Sequence, residues 1–135
     1  METIEMTETQ RTGIREVLIL KSERLMFSVH MLEMRLKQAT MKLQELVTNK
    51  TLLDRELEQM EVHLAAMPEG ARRDKEQDSA QIQKLAYKIY LIKAQIENLL
   101  VKVLFDLPLA VALEKAQLQV LEKFLEDGPI KPFEI

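Results

Sequence analysis

The residues of this chain that could bind a metal ion or transfer a proton are few and far apart. Its 135 residues include no cysteine and two histidines, His30 and His63. On one helix, a rise of 1.5 Å per residue separates these histidines by roughly 50 Å, so one chain cannot bring both to a single metal ion. His30 is predicted to be a partly buried interface residue and His63 to lie on a solvated flank. We therefore expect no metal site.

Carboxylates are plentiful, but their arrangement does not indicate catalysis. Residues such as Glu58, Glu61, Glu122 and Glu126 occupy helical positions typical of solvated faces. A catalytic pair needs a cleft that shifts its acidities, and a thin helical hairpin offers none. The sequence also lacks a glycine-rich phosphate loop and any pattern typical of a Ser-His-Asp site. We expect no enzyme activity, no cofactor and no small-molecule substrate.

The composition favours long helices outside a membrane. Hydrophobic residues make up 47% of the chain and charged residues 30%, while glycine, proline and aromatic residues are scarce. The longest apolar stretch, residues 99–113, is interrupted by Lys102, Asp106 and Pro108 and is too short for a membrane span. A net charge of −3 gives no field that attracts nucleic acid. Because neither a secretion signal nor a cysteine is present, we expect a cytoplasmic protein.

A sustained heptad pattern is the strongest signal in the sequence. From Leu18 onwards, apolar residues recur at alternating spacings of three and four over seven heptads, which is typical of a coiled coil. We call these positions the seam. Its members in the first predicted helix are Leu18, Leu25, Val29, Leu32, Leu36, Ala39, Leu43, Leu46, Lys50, Leu53, Leu57, Met60, Leu64 and Met67.

The pattern then breaks at residues 67–71, where Pro68 disfavours helix at the preceding residue and Gly70 permits the left-handed backbone that a reversal uses. A second seam follows, formed by Ile82, Leu85, Ile89, Ile92, Ile96, Leu99 and Val103. This arrangement predicts an all-α fold: an antiparallel coiled-coil helical hairpin, in which paired seam residues have numbers that add up to about 142.

Charges beside the seams agree with antiparallel pairing. In a parallel homodimer, Glu56 would face Glu61 of the second chain, and two lysines of the second helix would likewise repel each other. Pairing across the turn instead places Glu56 against Lys88. Each exposed pair contributes well under about 1 kcal/mol, so the short turn is the stronger argument.

A proline break divides the second arm. Pro108 either kinks a continuous helix or lies in the first turn of a new helix capped by Asp106. We favour a new or sharply kinked helix that stops at Asp127-Gly128-Pro129. The predicted organisation is a disordered tail over 1–12, a helical domain over 13–127 and an extended tail over 128–135. The domain comprises a helix over 13–66, a turn over 67–71, a helix over 72–106 and a third C-terminal helix over 107–126.

The end of the hairpin distal to the turn contains more apolar residues than a two-helix seam can cover. Such excess apolar surface is typical of an interaction site, and methionine suits adaptable interfaces. A local three-helix bundle that hides this surface is the alternative. The predicted partner-binding residues are Met26, Phe27, Met31, Met34, Leu100, Leu104, Phe105, Leu118, Leu121 and Leu125.

Two smaller features add hypotheses. Arg72, Arg73 and Lys75 form either a basic contact at the hairpin tip or a solvated helix start. Lys50 is a polar residue in an apolar seam, where it either fixes register and partner choice, with Asp54 one turn away, or extends its ammonium to solvent.

These features together predict a structural or adaptor subunit of a multiprotein assembly, such as a cytoskeletal complex. Its partners are expected to be proteins, as a self-dimer or a hetero-complex. The alternative is a hairpin helper, such as a chaperone or the stalk of an export ATPase, which acts through its tip.

Overall fold

The computed structural model describes Thr3–Ile4, residues 7–126 and Phe133–Glu134. The helices are α1 (Glu8–Ala65), α2 (Arg72–Val101), a π-helical turn (Lys102–Asp106) and α3 (Leu107–Glu126). Two short strands, β1 (Thr3–Ile4) and β2 (Phe133–Glu134), pair antiparallel, with Thr3 opposite Glu134 and Ile4 opposite Phe133. The described chain is almost entirely helical, so the predicted all-α class is confirmed.

Helix α1 begins at Glu8, not at the predicted residue 13, so the expectation of a disordered tail is wrong for residues 8–12. Thr7 and Gln10 form a reciprocal cap. The Gln10 backbone N–H donates to Thr7 Oγ1 at 3.2 Å, and the Thr7 backbone N–H donates to Gln10 Oε1 at 2.9 Å. A Thr-x-x-Gln sequence satisfies two otherwise unpaired donors in this way, which explains the early start.

The reversal between α1 and α2 is closed by backbone hydrogen bonds. The Met67 N–H donates to the Leu64 carbonyl at 3.2 Å, and the Ala71 N–H donates to the Pro68 carbonyl at 3.1 Å. The expectation that Gly70 supplies a left-handed backbone is wrong, since no described glycine has a positive φ. The bond from Ala71 to Pro68 closes a four-residue turn whose central residues need no left-handed conformation, as in a type I turn.

The chain divides into two compact units, and residues 37–105 form one of them. In this unit, Lys42 and Leu46 of α1 line a groove with Leu99 and Lys102. Closer to the turn, Nε2 of His63 lies 3.7 Å from Oδ2 of Asp78. Both observations place α1 and α2 beside each other within this unit.

The second unit comprises residues 1–36 and 106–135. Here α1 contacts α3, because Nζ of Lys115 lies 2.9 Å from Oε1 of Glu33. Leu25 and Leu121 line the same groove nearby. Both observations place the described parts of α1 and α3 beside each other within this unit.

Burial follows the seam closely. Every predicted seam position from Leu18 to Met67 and from Ile82 to Val103 is buried or half-buried. The buried hydrophobic residues are Val29, Leu46, Leu85 and Val111, and none of the described side chains is completely shielded from solvent. Each helix thus buries one narrow stripe and leaves the rest of its circumference exposed.

One additional residue interrupts the seam at the π-helical turn. From Leu99 to Val111, the buried or half-buried positions are separated by four residues three times in succession, through Val103 and Leu107. After Val111 the alternating spacings of three and four resume, at Glu114, Leu118, Leu121 and Leu125. In a regular α-helix the extra residue rotates the seam by about 100°. A π-helical turn, whose hydrogen bonds span five residues, takes up one such residue, and the seam positions before and after it are buried or half-buried.

The same turn accommodates Pro108. Proline has no N–H to donate to the carbonyl of Leu104, four residues earlier, and Leu104 lies within the π-helical turn. Asp106 is the last residue of that turn, and α3 follows directly at Leu107, so the alternative of a new helix capped by Asp106 is wrong. The predicted bounds of the last helix agree with α3. The predicted stop at Asp127-Gly128-Pro129 and most of the tail over 128–135 lie outside the described residues.

Substitution of Lys50 tests whether a polar residue in the seam lowers the stability of the fold. Its Nζ lies 2.8 Å from Oδ2 of Asp54, and its side chain is 30% exposed. Lys50→Leu is expected to raise the free energy of unfolding by about 1 kcal/mol, because the gain in apolar burial exceeds the loss of a partly exposed ion pair. Thermal unfolding followed by circular dichroism measures the change.

The matched control for this substitution is Lys42→Leu. Lys42 also pairs within α1, at 3.8 Å from Glu45, but its side chain is 56% exposed. We expect almost no change in its melting temperature. A lower melting temperature for Lys50→Leu than for the unmodified chain would contradict the role given to this seam position.

The π-helical turn yields a second prediction. Deleting Leu104 together with the substitution Pro108→Ala restores alternating spacings of three and four, so helical content and melting temperature should stay close to those of the unmodified chain. Deleting Tyr90, which lies in the regular part of α2, displaces every later seam residue by about 100° and should lower the melting temperature strongly. Equal losses in the two deletion variants would show that the turn does not correct the seam.

Candidate protein-binding surfaces

The two histidines and the carboxylates of the described residues form no cluster suited to a metal ion. Among them, no group of three or more histidine, aspartate or glutamate side chains is placed to hold a metal ion. His30 is exposed in the single chain, and its role as a partly buried interface residue stays a prediction. His63 has a side chain that is 71% exposed beside Asp78. None of the described helices is long and apolar enough to cross a membrane.

Large exposed hydrophobic residues are the most abundant unusual feature of the surface. Among the described residues of 42–86, three side chains of this kind occur, Val47, Leu52 and Val62. All the others fall within 17–41 and 87–124. The predicted excess of apolar surface away from the turn is therefore present, and it is concentrated in two parts of the sequence.

Helix α1 has a second apolar stripe within the unit formed by residues 1–36 and 106–135. Phe27 is 67% exposed and is rotated by about 160–200° from the seam residues Leu25 and Val29. Leu20 and Met34, each seven residues from Phe27, continue the same face. We call this face the α1 outer stripe; it comprises Leu20, Phe27, Met31 and Met34.

Met26 is exposed as well, and all four predicted partner-binding residues of α1 are accessible to a partner. Methionine side chains adapt to irregular surfaces, which suits an interface. The stripe lies on the side of α1 opposite the seam and is therefore not used by the seam.

Helix α3 requires a correction. Leu118, Leu121 and Leu125 were predicted to bind partners, but all three are half-buried on the seam side. The reason is the additional residue at the π-helical turn, which brings these leucines into the seam. The exposed face of α3 is a different set, the α3 outer stripe, formed by Leu109, Leu113, Val120 and Phe124.

A groove of about 780 Å³ runs between α1 and α3 in the same unit. Leu25 and Leu121 from the seam and Leu113 and Val120 from the α3 outer stripe contribute to its apolar lining. Lys21 and Arg24 of α1 also line it, and none of the residues that line it is acidic. The groove therefore combines an apolar floor with a basic edge, which suits an amphipathic helix.

The other unit has exposed apolar residues near the end of α2. Leu100, Leu104 and Phe105 are exposed as predicted, with Phe105 at 66%. Tyr87 and Tyr90 are also exposed, although their spacing did not identify them as candidates. Tyrosine presents an apolar ring and a polar hydroxyl, a combination that is enriched at protein interfaces.

The predicted basic tip is partly neutralised. Nε of Arg72 lies 3.8 Å from Oε1 of Glu76, and both side chains are well exposed. Arg73 is exposed and Lys75 is half-buried. Together with Glu76, the Arg72 and Lys75 side chains line a shallow groove of about 610 Å³ next to Leu64 and Ala65. This geometry agrees with a solvated helix start and gives no separate cluster of cations.

Comparison with known proteins found no match. No protein-family model matches the chain, and no curated protein or solved structure is significantly similar to it.

Proposed function

We propose that this chain is a non-enzymatic structural or adaptor subunit of a multiprotein assembly, and that it binds protein partners through apolar faces of α1 and α3. The observation that carries the proposal is the exposure of the α1 and α3 outer stripes on the sides of their helices opposite the seam. Water-exposed apolar area of this extent is unfavourable in an isolated chain and is typical of an interface.

The scaffold in this proposal is an antiparallel coiled-coil hairpin. The continuous burial of seam positions supports it, as do the contacts of His63 with Asp78 and of Glu33 with Lys115. A seam of this length sets the spacing of its binding faces, which is what a structural subunit contributes to an assembly. We place the protein in the cytoplasm, since a chain without cysteine gains nothing from an oxidising compartment.

The second candidate is a helper that binds clients at the turn between α1 and α2. The shallow groove lined by Arg72 and Lys75 is the feature that favours it. This alternative is weaker because Glu76 partly neutralises the arginine and few large apolar side chains lie nearby.

One experiment separates the two candidates. Tagged full-length chain is expressed in cells as the unmodified protein, as Phe27→Glu, as Val62→Glu and as the double variant Arg72→Glu/Arg73→Glu, and co-purifying proteins are quantified by mass spectrometry. Phe27 and Val62 are 67% and 65% exposed, so the two single substitutions are matched in accessibility. Circular dichroism checks that each variant keeps its helical content.

We expect Phe27→Glu to lose most of its reproducible partners, at least tenfold in recovery, because a buried unpaired carboxylate costs several kcal/mol in an apolar interface. Val62→Glu and the tip variant should retain those partners. Full retention in Phe27→Glu together with loss in the tip variant would reject the adaptor proposal and favour the helper.

A further inference from the structure

The α3 outer stripe is complementary to itself. Its members lie at equal distances on either side of a point between Ala116 and Gln117: Leu113 with Val120, and Leu109 with Phe124. When a helix packs against an antiparallel copy of itself, every pair of facing residues has numbers that add up to one fixed value. For this stripe that value is 233. A small residue, Ala116, lies at the centre, where two helix backbones approach most closely.

We propose that a second copy of this chain covers the α3 outer stripe, with the two α3 helices packed antiparallel about a two-fold axis between Ala116 and Gln117. The inference rests on the proposed function and identifies one of its partners. An interface of this kind uses the same patch on both chains, so a self-complementary stripe is the feature that it requires.

The groove beside α3 fits the same arrangement. Leu113 and Val120 belong to the stripe and also line the groove, so α3 of the second copy lies along the groove and contacts Leu25 of α1. The surface area that two packed α3 helices alone would bury is below the roughly 1,200–2,000 Å² that stable interfaces bury in total. The added contact with α1, which occurs twice in a symmetric dimer, raises the buried area towards that range.

Charge complementarity supports this occupant. Within the unit, the ion-paired Glu33 and Lys115 have numbers that add up to 148, so in an antiparallel pair of helices Lys21 is level with the last residues of α3, within about two residues of Leu125. The two-fold mate of residue 125 is residue 108. The exposed Asp106 of the second copy therefore lies within about 3 Å of Lys21 along the helix axis, close enough for an ion pair.

Sedimentation velocity of the full-length chain tests the dimer. We expect a discrete two-chain species at concentrations of roughly 100 µM, above the micromolar dissociation constants typical of modest interfaces. Val120→Glu should sediment as a single chain at the same concentration, because each interface would contain two buried carboxylates. Val62→Glu, which lies in the other unit and is comparably exposed, should remain a dimer.

Cysteine cross-linking tests the orientation, since the chain has no cysteine of its own. Ala116→Cys should form a disulfide-linked dimer under mild oxidation, because its two copies lie beside the axis. In the antiparallel arrangement, Leu113 of one chain faces Val120 of the other. A mixture of Leu113→Cys and Val120→Cys should therefore cross-link at least tenfold more than either variant alone. A parallel arrangement would instead favour cross-linking of each variant with itself.

A charge exchange tests the position of Lys21. Lys21→Glu and Asp106→Lys should each weaken dimerisation by roughly threefold to tenfold, and their combination should restore it.

Three results would each overturn the proposal. They are a single-chain species for the unmodified protein at roughly 100 µM, an intact dimer of Val120→Glu, and cross-linking of Leu113→Cys mainly with itself. A single-chain result would not decide the proposed function, whose test is the separate recovery of partners by Phe27→Glu.

Discussion

The burial of a single stripe on each helix is the constraint from which the other properties of this protein follow. A helix that contacts one neighbour can shield roughly a third of its circumference, and the remainder meets water or another protein. In this chain the shielded third is continuous from Leu18 to Leu64 in α1, yet no described side chain is completely enclosed. The stability of such a fold depends on length and regularity, since the described residues form no deep core.

This constraint explains why a π-helical turn lies between α2 and α3. The second arm carries one residue more than an uninterrupted seam allows, and it also carries Pro108, which cannot donate the hydrogen bond that a regular helix needs. Both irregularities fall within seven residues, at Lys102–Pro108, and one local change in hydrogen bonding accommodates both. The rest of α3 then presents Val111, Leu118 and Leu125 to the seam.

The sequence alone predicts a large part of this fold. Alternating spacings identified the seam positions correctly in α1 and α2, because burial on one side of a helix imposes that periodicity. The start of α1 was placed too late, although Thr7 and Gln10 carry the pattern of a reciprocal cap. Leu118, Leu121 and Leu125 were assigned to the wrong face of α3 because of the residue that the π-helical turn takes up. Three successive spacings of four from Leu99 indicate this added residue, and without it the buried and exposed faces of α3 are interchanged. Tyr87 and Tyr90 lie between the seam positions Leu85, Ile89 and Ile92, so the same periodicity could have identified both as exposed.

The central claim is that the outer side of α1 is uncovered in a single chain while the seam side is shielded. The rate of thiol labelling measures this directly, with single cysteines introduced as Phe27→Cys and Val29→Cys into a chain that has none. At a dilution that maintains single chains, Phe27→Cys should be labelled at nearly the rate of an unfolded peptide and Val29→Cys at least tenfold more slowly, since Val29 is buried. Equal protection of both cysteines would mean that the chain already covers its own apolar face, and the account would be wrong.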